Sequence, residues 1–372
     1  MKRVRVTPAI AILLLVAGMG AAPKAAPPKE SPTQGFGVLK PLIEASGVSG
    51  HEEKVRETVL GLLPAWARAK SRVDRCGNLS LEAGHGGQRI LFIAHLDEIG
   101  FEITEVERDG TARVRSLGGF FSTLYEAHPV VVHSRGGERQ AIVRPRRDYL
   151  SSASAGQSFS EAEVVVDFGT TNRDETLALG IAAGDWITVP KRFRRLAGEM
   201  GSGRSVDDRA GCTALVQAVR SLDPGNLDNR VTFVWSVEEE TGLKGAKVIA
   251  AESSFDVVFA VDTFVSSDSP LESKAFALGI LGKGPVLRAM DNSNLAPRPG
   301  LSRIQSLAQA HHLPLQIGLT HGGNDGSVFT PYGAVDLPLS WPTLYSHSAV
   351  EVIHEDDLNH LGQLVALLAE AW

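Results

Sequence analysis

The chain has 372 residues, 43% of them hydrophobic and 22% charged, an ordinary globular composition that excludes a disordered, collagen-like or polytopic membrane protein. That length corresponds to roughly two domains. Against 37 Lys and Arg stand 43 Asp and Glu, a formal net charge of −6. The basic footprint of a nucleic-acid binder is absent, so no nucleic-acid partner is expected. Two cysteines, Cys76 and Cys212, are too few for a disulfide scaffold or a cysteine zinc cluster.

Lys2, Arg3 and Arg5 precede an apolar run over residues 9–19 and then small residues, the layout of a secretory signal peptide. Residues 1–22 are therefore expected to direct export to the periplasm or the exterior. The apolar run is shorter than the ~20 residues a spanning helix needs. Residues 23–34 are Pro-rich and read as an extended linker. Ser49-Gly50-His51-Glu52 reads as a capping box ahead of a helix with Val55, Val59 and Leu62 on its apolar stripe. Strands are predicted at 79–82 and 89–94, the second apolar throughout and so buried on both faces.

Between 101 and 198 the texture changes to short alternating segments, such as Ala112-Arg113-Val114-Arg115, separated by Gly- and Arg-rich turns. This predicts a small inserted β-rich domain. Beyond residue 203, predicted helices at 210–222, 242–251, 301–311 and 358–371 alternate with strands at 231–235 and 257–261. That rhythm favours an α/β fold with a mixed, largely parallel sheet flanked by helices. The main domain would then be discontinuous, built from 35–100 and 199–372.

The chemistry clusters where predicted strands stop. One runs into His95-Leu96-Asp97-Glu98, a second into Glu238-Glu239-Glu240 and a third into Asp262. Ligands of open α/β sheets bind beyond the carboxyl ends of the strands. Several carboxylates meeting there repel one another unless a cation neutralises them. Asp207-Asp208-Arg209 stands where a loop turns into a helix, and a carboxylate there can bridge two cations. His347 is a further candidate near the end of the chain.

One bridging Asp, two His, one Glu and one Asp suit borderline divalent ions such as Zn2+ or Co2+. Two such ions about 3.5–4 Å apart can share a hydroxide and polarise a carbonyl. A spare carboxylate beside the ligating Glu can act as general base. Taken singly, each motif has an ordinary explanation: Glu238-Glu239-Glu240 as a solvated charge run, Asp207-Asp208 as a helix cap. Their combination at strand ends carries the inference.

In these blocks the sequence resembles the dinuclear metallo-aminopeptidases of the TET and glutamyl-aminopeptidase type. The matching segments are Ala94-His95-Leu96-Asp97-Glu98-Ile99-Gly100, Val206-Asp207-Asp208-Arg209-Ala210-Gly211, Glu239-Glu240-Thr241-Gly242-Leu243-Lys244-Gly245-Ala246, Ala260-Val261-Asp262, Gly322-Gly323-Asn324-Asp325 and Tyr345-Ser346-His347-Ser348. They follow the family's order, and the resemblance spans roughly residues 36–370.

The resemblance implies a zinc-exopeptidase-like fold and hydrolysis of N-terminal residues from peptide substrates with two divalent ions. It implies His95, Asp207, Glu240, Asp262 and His347 as metal ligands, with Asp207 shared. Glu239 would be the general base, and Asp97 would orient His95. A homo-oligomer, either dimer or dodecamer, is also implied, with dimer contacts made by the inserted domain. Leu344 stands where the family usually has Arg, and Asn324 where Thr is usual. Two other functions use similar features: another dinuclear amidohydrolase (carboxypeptidase or deacylase), and a non-catalytic exported binding protein.

Overall fold

The computed structural model describes residues 35–120, 122–146, 164–270 and 278–372. The expected signal peptide and linker lie outside the described residues. The described residues open with α1 (Phe36–Glu44), α2 (Glu53–Leu62) and α3 (Ala65–Lys70), then β1 (Arg72–Val73), β2 (Leu79–Ala83) and β3 (Arg89–His95). Next come β4 (Gly100–Val106), β5 (Ala112–Leu117), β6 (Pro129–Ser134), β7 (Gly137–Val143), β8 (Val165–Asp167), α4 (Arg173–Ala178) and β9 (Trp186–Thr188). The strands β10 (Arg194–Arg195) and β11 (Met200–Gly203) lead into α5 (Val206–Ser221), β12 (Arg230–Ser236), α6 (Lys244–Glu252) and β13 (Val257–Val265). The remainder is β14 (Val286–Met290), α7 (Arg298–Ala310), β15 (Gln316–Leu319), β16 (Val335–Asp336), β17 (Leu339–Thr343), β18 (Glu351–His354) and α8 (Glu355–Ala371).

The main sheet runs β1-β2-β12-β3-β13-β17-β14-β15, with β16 also on β13. Its centre, β12, β3, β13 and β17, is parallel, while the pairings β1–β2, β2–β12 and β14–β17 are antiparallel. The mixed, largely parallel sheet flanked by helices is therefore present.

Alternation along each central strand fills two cores. Ile90, Phe92 and Ala94 of β3 join a large cluster with residues of α1, α2, α5, α7 and α8, whereas Leu91 and Ile93 face Ala246 and Ala250 of α6 and Phe329. Because β12 and β13 are in register with β3, Phe233, Phe92 and Phe259 line up across three strands. Their rings stack with centroids 5.4 and 4.9 Å apart. This row fixes the spacing of the three strands whose carboxyl ends carry the acidic residues.

The segment between β3 and β10 closes a six-stranded antiparallel barrel, β4-β5-β8-β7-β6-β9, around its own apolar cluster, which includes Phe101, Ile103, Val130, Val132 and Ile187. The barrel strands run from Gly100 to Thr188. β10 and β11 instead pair with each other, and β11 with β18, in a separate three-stranded sheet.

Within the barrel, the ring of His133 stacks on Trp186 with centroids 3.7 Å apart, and Nε2 meets the Thr188 hydroxyl at 3.0 Å. Burial lowers the pKa of His133 to about 4. As pH falls below the ordinary histidine value, the unfolded chain takes up this proton first. Stability present above pH 6.5 is then lost progressively down to about pH 4, by about 2–3 kcal/mol. A His133→Gln variant is expected to show a flatter dependence of unfolding free energy on pH between 6.5 and 4; an unchanged slope would refute this origin.

Three local expectations are corrected. Ser49 and Glu52 do not form a capping box: α2 starts at Glu53 with no side-chain cap. The Ser49 hydroxyl donates instead to Asp97, and Glu52 accepts the backbone N–H groups of Gly50 and Glu238. Both side chains are drawn to partners distant in sequence. β13 does not end before Asp262 but runs to Val265, because pairing with β17 continues from Val261 to Val265. The helix predicted from 242 starts at Lys244, since Gly242 and Leu243 both take positive φ.

Candidate metal centre

The acidic strand ends meet at one edge of the main sheet. His95 is the last residue of β3 and pairs across to Ser236, the last residue of β12. Glu239 and Glu240 follow in the turn after β12, and Asp262 lies on β13. Asp207 and Asp208 stand where α5 begins, in non-helical conformations and joined by a cis peptide bond. The regular helix starts beyond them, and Asp208 caps it by accepting the Gly211 N–H at 3.0 Å. A Cβ at position 211 would lie 2.2 Å from the Asp208 carboxylate, so this cap requires glycine. The other oxygen of Asp208 accepts the His95 N–H at 2.8 Å, tying the helix start to the strand end.

Two groups of potential ligand atoms form here: His95, Asp207 and Asp262, and Asp207, Glu240 and His347. In each, the atoms lie within 4.8 Å of one another. Asp207 belongs to both. Its Oδ1 is 3.3 Å from His95 Nε2 and its Oδ2 is 3.4 Å from His347 Nε2. Asp207 Oδ1 and Glu240 Oε1 are buried with no hydrogen-bond partner among the described residues. Buried carboxylate oxygens without partners carry a heavy desolvation cost that a bound cation removes. With imidazole and carboxylate as the donors, these residues fit divalent ions of the zinc and cobalt kind.

The electrostatics of these side chains point the same way. Burial opposes a charged His347, yet Glu240 and Asp207 raise its pKa to about 10. Burial likewise opposes charge on His95, but Asp207 and Asp97 hold it well above the usual histidine value. Burial pushes Glu240 up to about 7. The carboxylates thus favour positive charge at this position, which a bound cation would supply in place of histidine protons.

Asp97 is wholly buried and holds more than the His95 ring. Its carboxylate is 3.4 Å from His95 Nδ1 and accepts the Ser49 hydroxyl at 2.6 Å. It also accepts the N–H groups of Glu239 at 3.0 Å and Glu240 at 3.2 Å. Burial would raise its pKa, but these donors, led by His95, keep it below the ordinary value. Asp97 therefore fixes both the ring of His95 and the backbone of the Glu239-Glu240 turn. Glu239 belongs to neither ligand group. Burial, with Asp262, Asp325 and Glu240 nearby, raises its pKa well above the usual carboxylate value. That is the direction expected of a carboxylate able to take up a proton.

Other residues support the centre in roles that the sequence did not assign. Arg288 approaches Asp262 at 3.7 Å and donates to the Gly323 carbonyl at 2.8 Å. Asp325 accepts the Ser236 hydroxyl at 2.5 Å and is pushed by burial up to about 7. Asn324 caps Gly326 and donates to Asp291 at 2.8 Å. Leu344 pairs by backbone with Val352. From the barrel, the Gly119 carbonyl accepts from His347 Nδ1, turning Nε2 toward Asp207 and Glu240. Gly118, at φ 94°, has no side chain for a reason: a Cβ would lie 2.4 Å from Ile99 and 3.2 Å from Glu240. Arg209 is wholly buried and donates to Asp97 O, Gly47 O and Glu98. The one signal for this group is charge inside otherwise apolar sequence, as with Glu351 before Val352-Ile353.

A helix-flanked, largely parallel sheet with a histidine–carboxylate cage at its carboxyl edge defines a metal-dependent peptidase of the zinc-exopeptidase-like fold. The chain belongs to the M42 glutamyl aminopeptidase family, whose model matches residues 77–364. It is 28% identical over 342 residues to the lysyl aminopeptidase of Pyrococcus furiosus, covering 90% of this chain and 96% of that protein. Among solved structures it is similar to the TET1 peptidase of Pyrococcus horikoshii, with 35% identity, a TM-score of 0.83 and coverage of 91% and 99%. The aminopeptidase APDkam598 of Desulfurococcus kamchatkensis gives 28% identity, a TM-score of 0.84 and coverage of 91% and 94%.

Proposed function

We propose that the protein is an aminopeptidase that removes N-terminal residues from peptides with two divalent cations held by His95, Asp207, Asp262, Glu240 and His347. The carrying observation is the membership of Asp207 in both ligand groups, one oxygen facing His95 and the other His347. When bound, the cations would supply Lewis-acid activation of the scissile carbonyl and of water.

The chain's own residues do the rest. Glu239, held through its N–H by Asp97, takes a proton from the attacking water and passes it to the leaving amine. Asp97 keeps the His95 ring oriented, and the Gly119 carbonyl does the same for His347. Arg288 steadies Asp262.

The P. horikoshii relative assembles into a tetrahedron or a large octahedral shell. By analogy this chain forms a homo-oligomer, with the barrel as the inserted domain that makes dimer contacts. The charged and apolar start of the sequence supports export, so its peptides would be met outside the cytoplasm.

Digestion of a defined peptide, with products identified by mass spectrometry, tests the reading. Release should proceed from the amino end, stop in chelator and return on adding zinc or cobalt. Release from the carboxyl end, or turnover undiminished after the metal has been stripped, would overturn it.

A further inference from the structure

We infer that Glu351 is a positioning residue that ties Asp207 and His347 into one unit and thereby sets the affinity of the cation site they form with Glu240. This rests on the two-cation reading above. Glu351 is wholly buried at the start of β18 and contributes no atom to either ligand group. Its Oε2 accepts the Asp207 N–H at 3.2 Å. Its Oε1 accepts the His347 N–H at 3.0 Å and Arg204 Nη1 at 2.9 Å.

One carboxylate thus grips the peptide units of two ligands that come from different elements, the start of α5 and the turn before β18. His347 sits at φ 60°, a left-handed conformation that a non-glycine residue keeps only when its surroundings hold it there. Glu351 holds that backbone while Gly119 holds the far side of the ring. Between these two anchors, Nε2 is placed 3.4 Å from Asp207 and 3.7 Å from Glu240. Arg204, also buried, balances the charge of Glu351, so the carboxylate acts on N–H groups and does not compete for a cation. The His95 side has separate anchors, Asp97 for the ring and Asp208 for the backbone. Loss of Glu351 should therefore fall hardest on the site that holds His347, and more lightly on the His95 site, which shares only Asp207 with it.

The test is a zinc titration of the full chain in metal-buffered solution, followed by calorimetry and by the visible spectrum of the cobalt-loaded protein. Wild type, Glu351→Asp, Glu351→Gln and Arg204→Lys are compared. Wild type should take up two equivalents. Both Glu351 variants should weaken one site by about 10–100-fold, the range seen when outer partners of a ligand are removed. The other site, which shares only Asp207 with it, should lose clearly less, and the cobalt spectrum should change to match. Arg204→Lys, which keeps the charge beside Glu351 but not the same hydrogen bond, should cost clearly less than either Glu351 variant. Glu351→Asp keeps the partner charge for Arg204 but is one methylene too short to reach both N–H groups, so it carries the test if Glu351→Gln fails to fold.

Two tight equivalents in Glu351→Asp would overturn the inference, as would an equal loss in Arg204→Lys. A single equivalent in wild type would instead bring down the two-cation reading itself, and that result appears before any variant is compared.

Discussion

Replacing Asp207 by Asn is expected to remove both cations together and lower kcat/KM by about a thousandfold, equivalent to about 4 kcal/mol of transition-state stabilisation. The expectation follows from geometry. Asp207 alone is common to both ligand groups, with Oδ1 toward His95 and Oδ2 toward His347. An amide keeps one oxygen and turns an NH2 toward the other position, where a donor repels a cation. The backbone contacts of Asp207, including its N–H to Glu351, are unaffected, so the fold should persist. Elemental analysis in zinc-buffered solution, alongside hydrolysis of aminoacyl anilides, provides the measurement. If Asp207→Asn retained two equivalents of zinc and most of its activity, the shared-carboxylate arrangement would be wrong.

Glu239→Gln should give the opposite separation: full metal content, KM within a few-fold, and kcat lower by about 10²–10⁴-fold. Glu239 lies outside both ligand groups, yet its backbone is fixed by Asp97 at 3.0 Å and its carboxyl pKa is raised by burial and by acidic neighbours. Glutamine preserves size and the N–H contact to Asp97 while removing the ability to carry the proton. Wild-type turnover in a fully loaded Glu239→Gln protein would remove Glu239 from the chemistry and leave Asp325, a neighbouring acid outside both ligand groups, as the group to examine.

Much of this arrangement was legible in the sequence because strands advertise themselves. The apolar runs of β3 and of β13 up to Val261 are uninterrupted and that of β12 is broken only by Thr232, and charge after such a run lies toward the sheet's carboxyl edge. His95, Asp97, Glu239, Glu240 and Asp262 were located in this way, and the structure brings them together with Asp207 and His347.

Contacts made through peptide groups were not legible. Nothing in the spacing of Ser49 and Glu52 says that they turn away from their own helix, toward Asp97 in one case and Glu238 in the other. Local pattern favoured the cap, and tertiary hydrogen bonding overrode it. Glu351 was missed for a related reason, since its partners are the backbone N–H groups of Asp207 and His347 and leave no trace in residue identity. The buried ion pairs among Glu98, Lys191, Arg204 and Arg209 join side chains, and they are illegible because the partners are remote in sequence, with Lys191 reaching Glu98 at 2.7 Å across nearly a hundred residues.

The carbonyl of Gly119 holds the ring of His347, and it belongs to the barrel. Six of the seven acidic and histidine side chains at the centre could assemble from the main sheet and its helices alone. The seventh would lack the partner that fixes its Nδ1 until the barrel docked against it. Competence for metal is therefore conditional on a junction between two cores, and a chain cut down to its main sheet would keep the cage but lose the catch on its door.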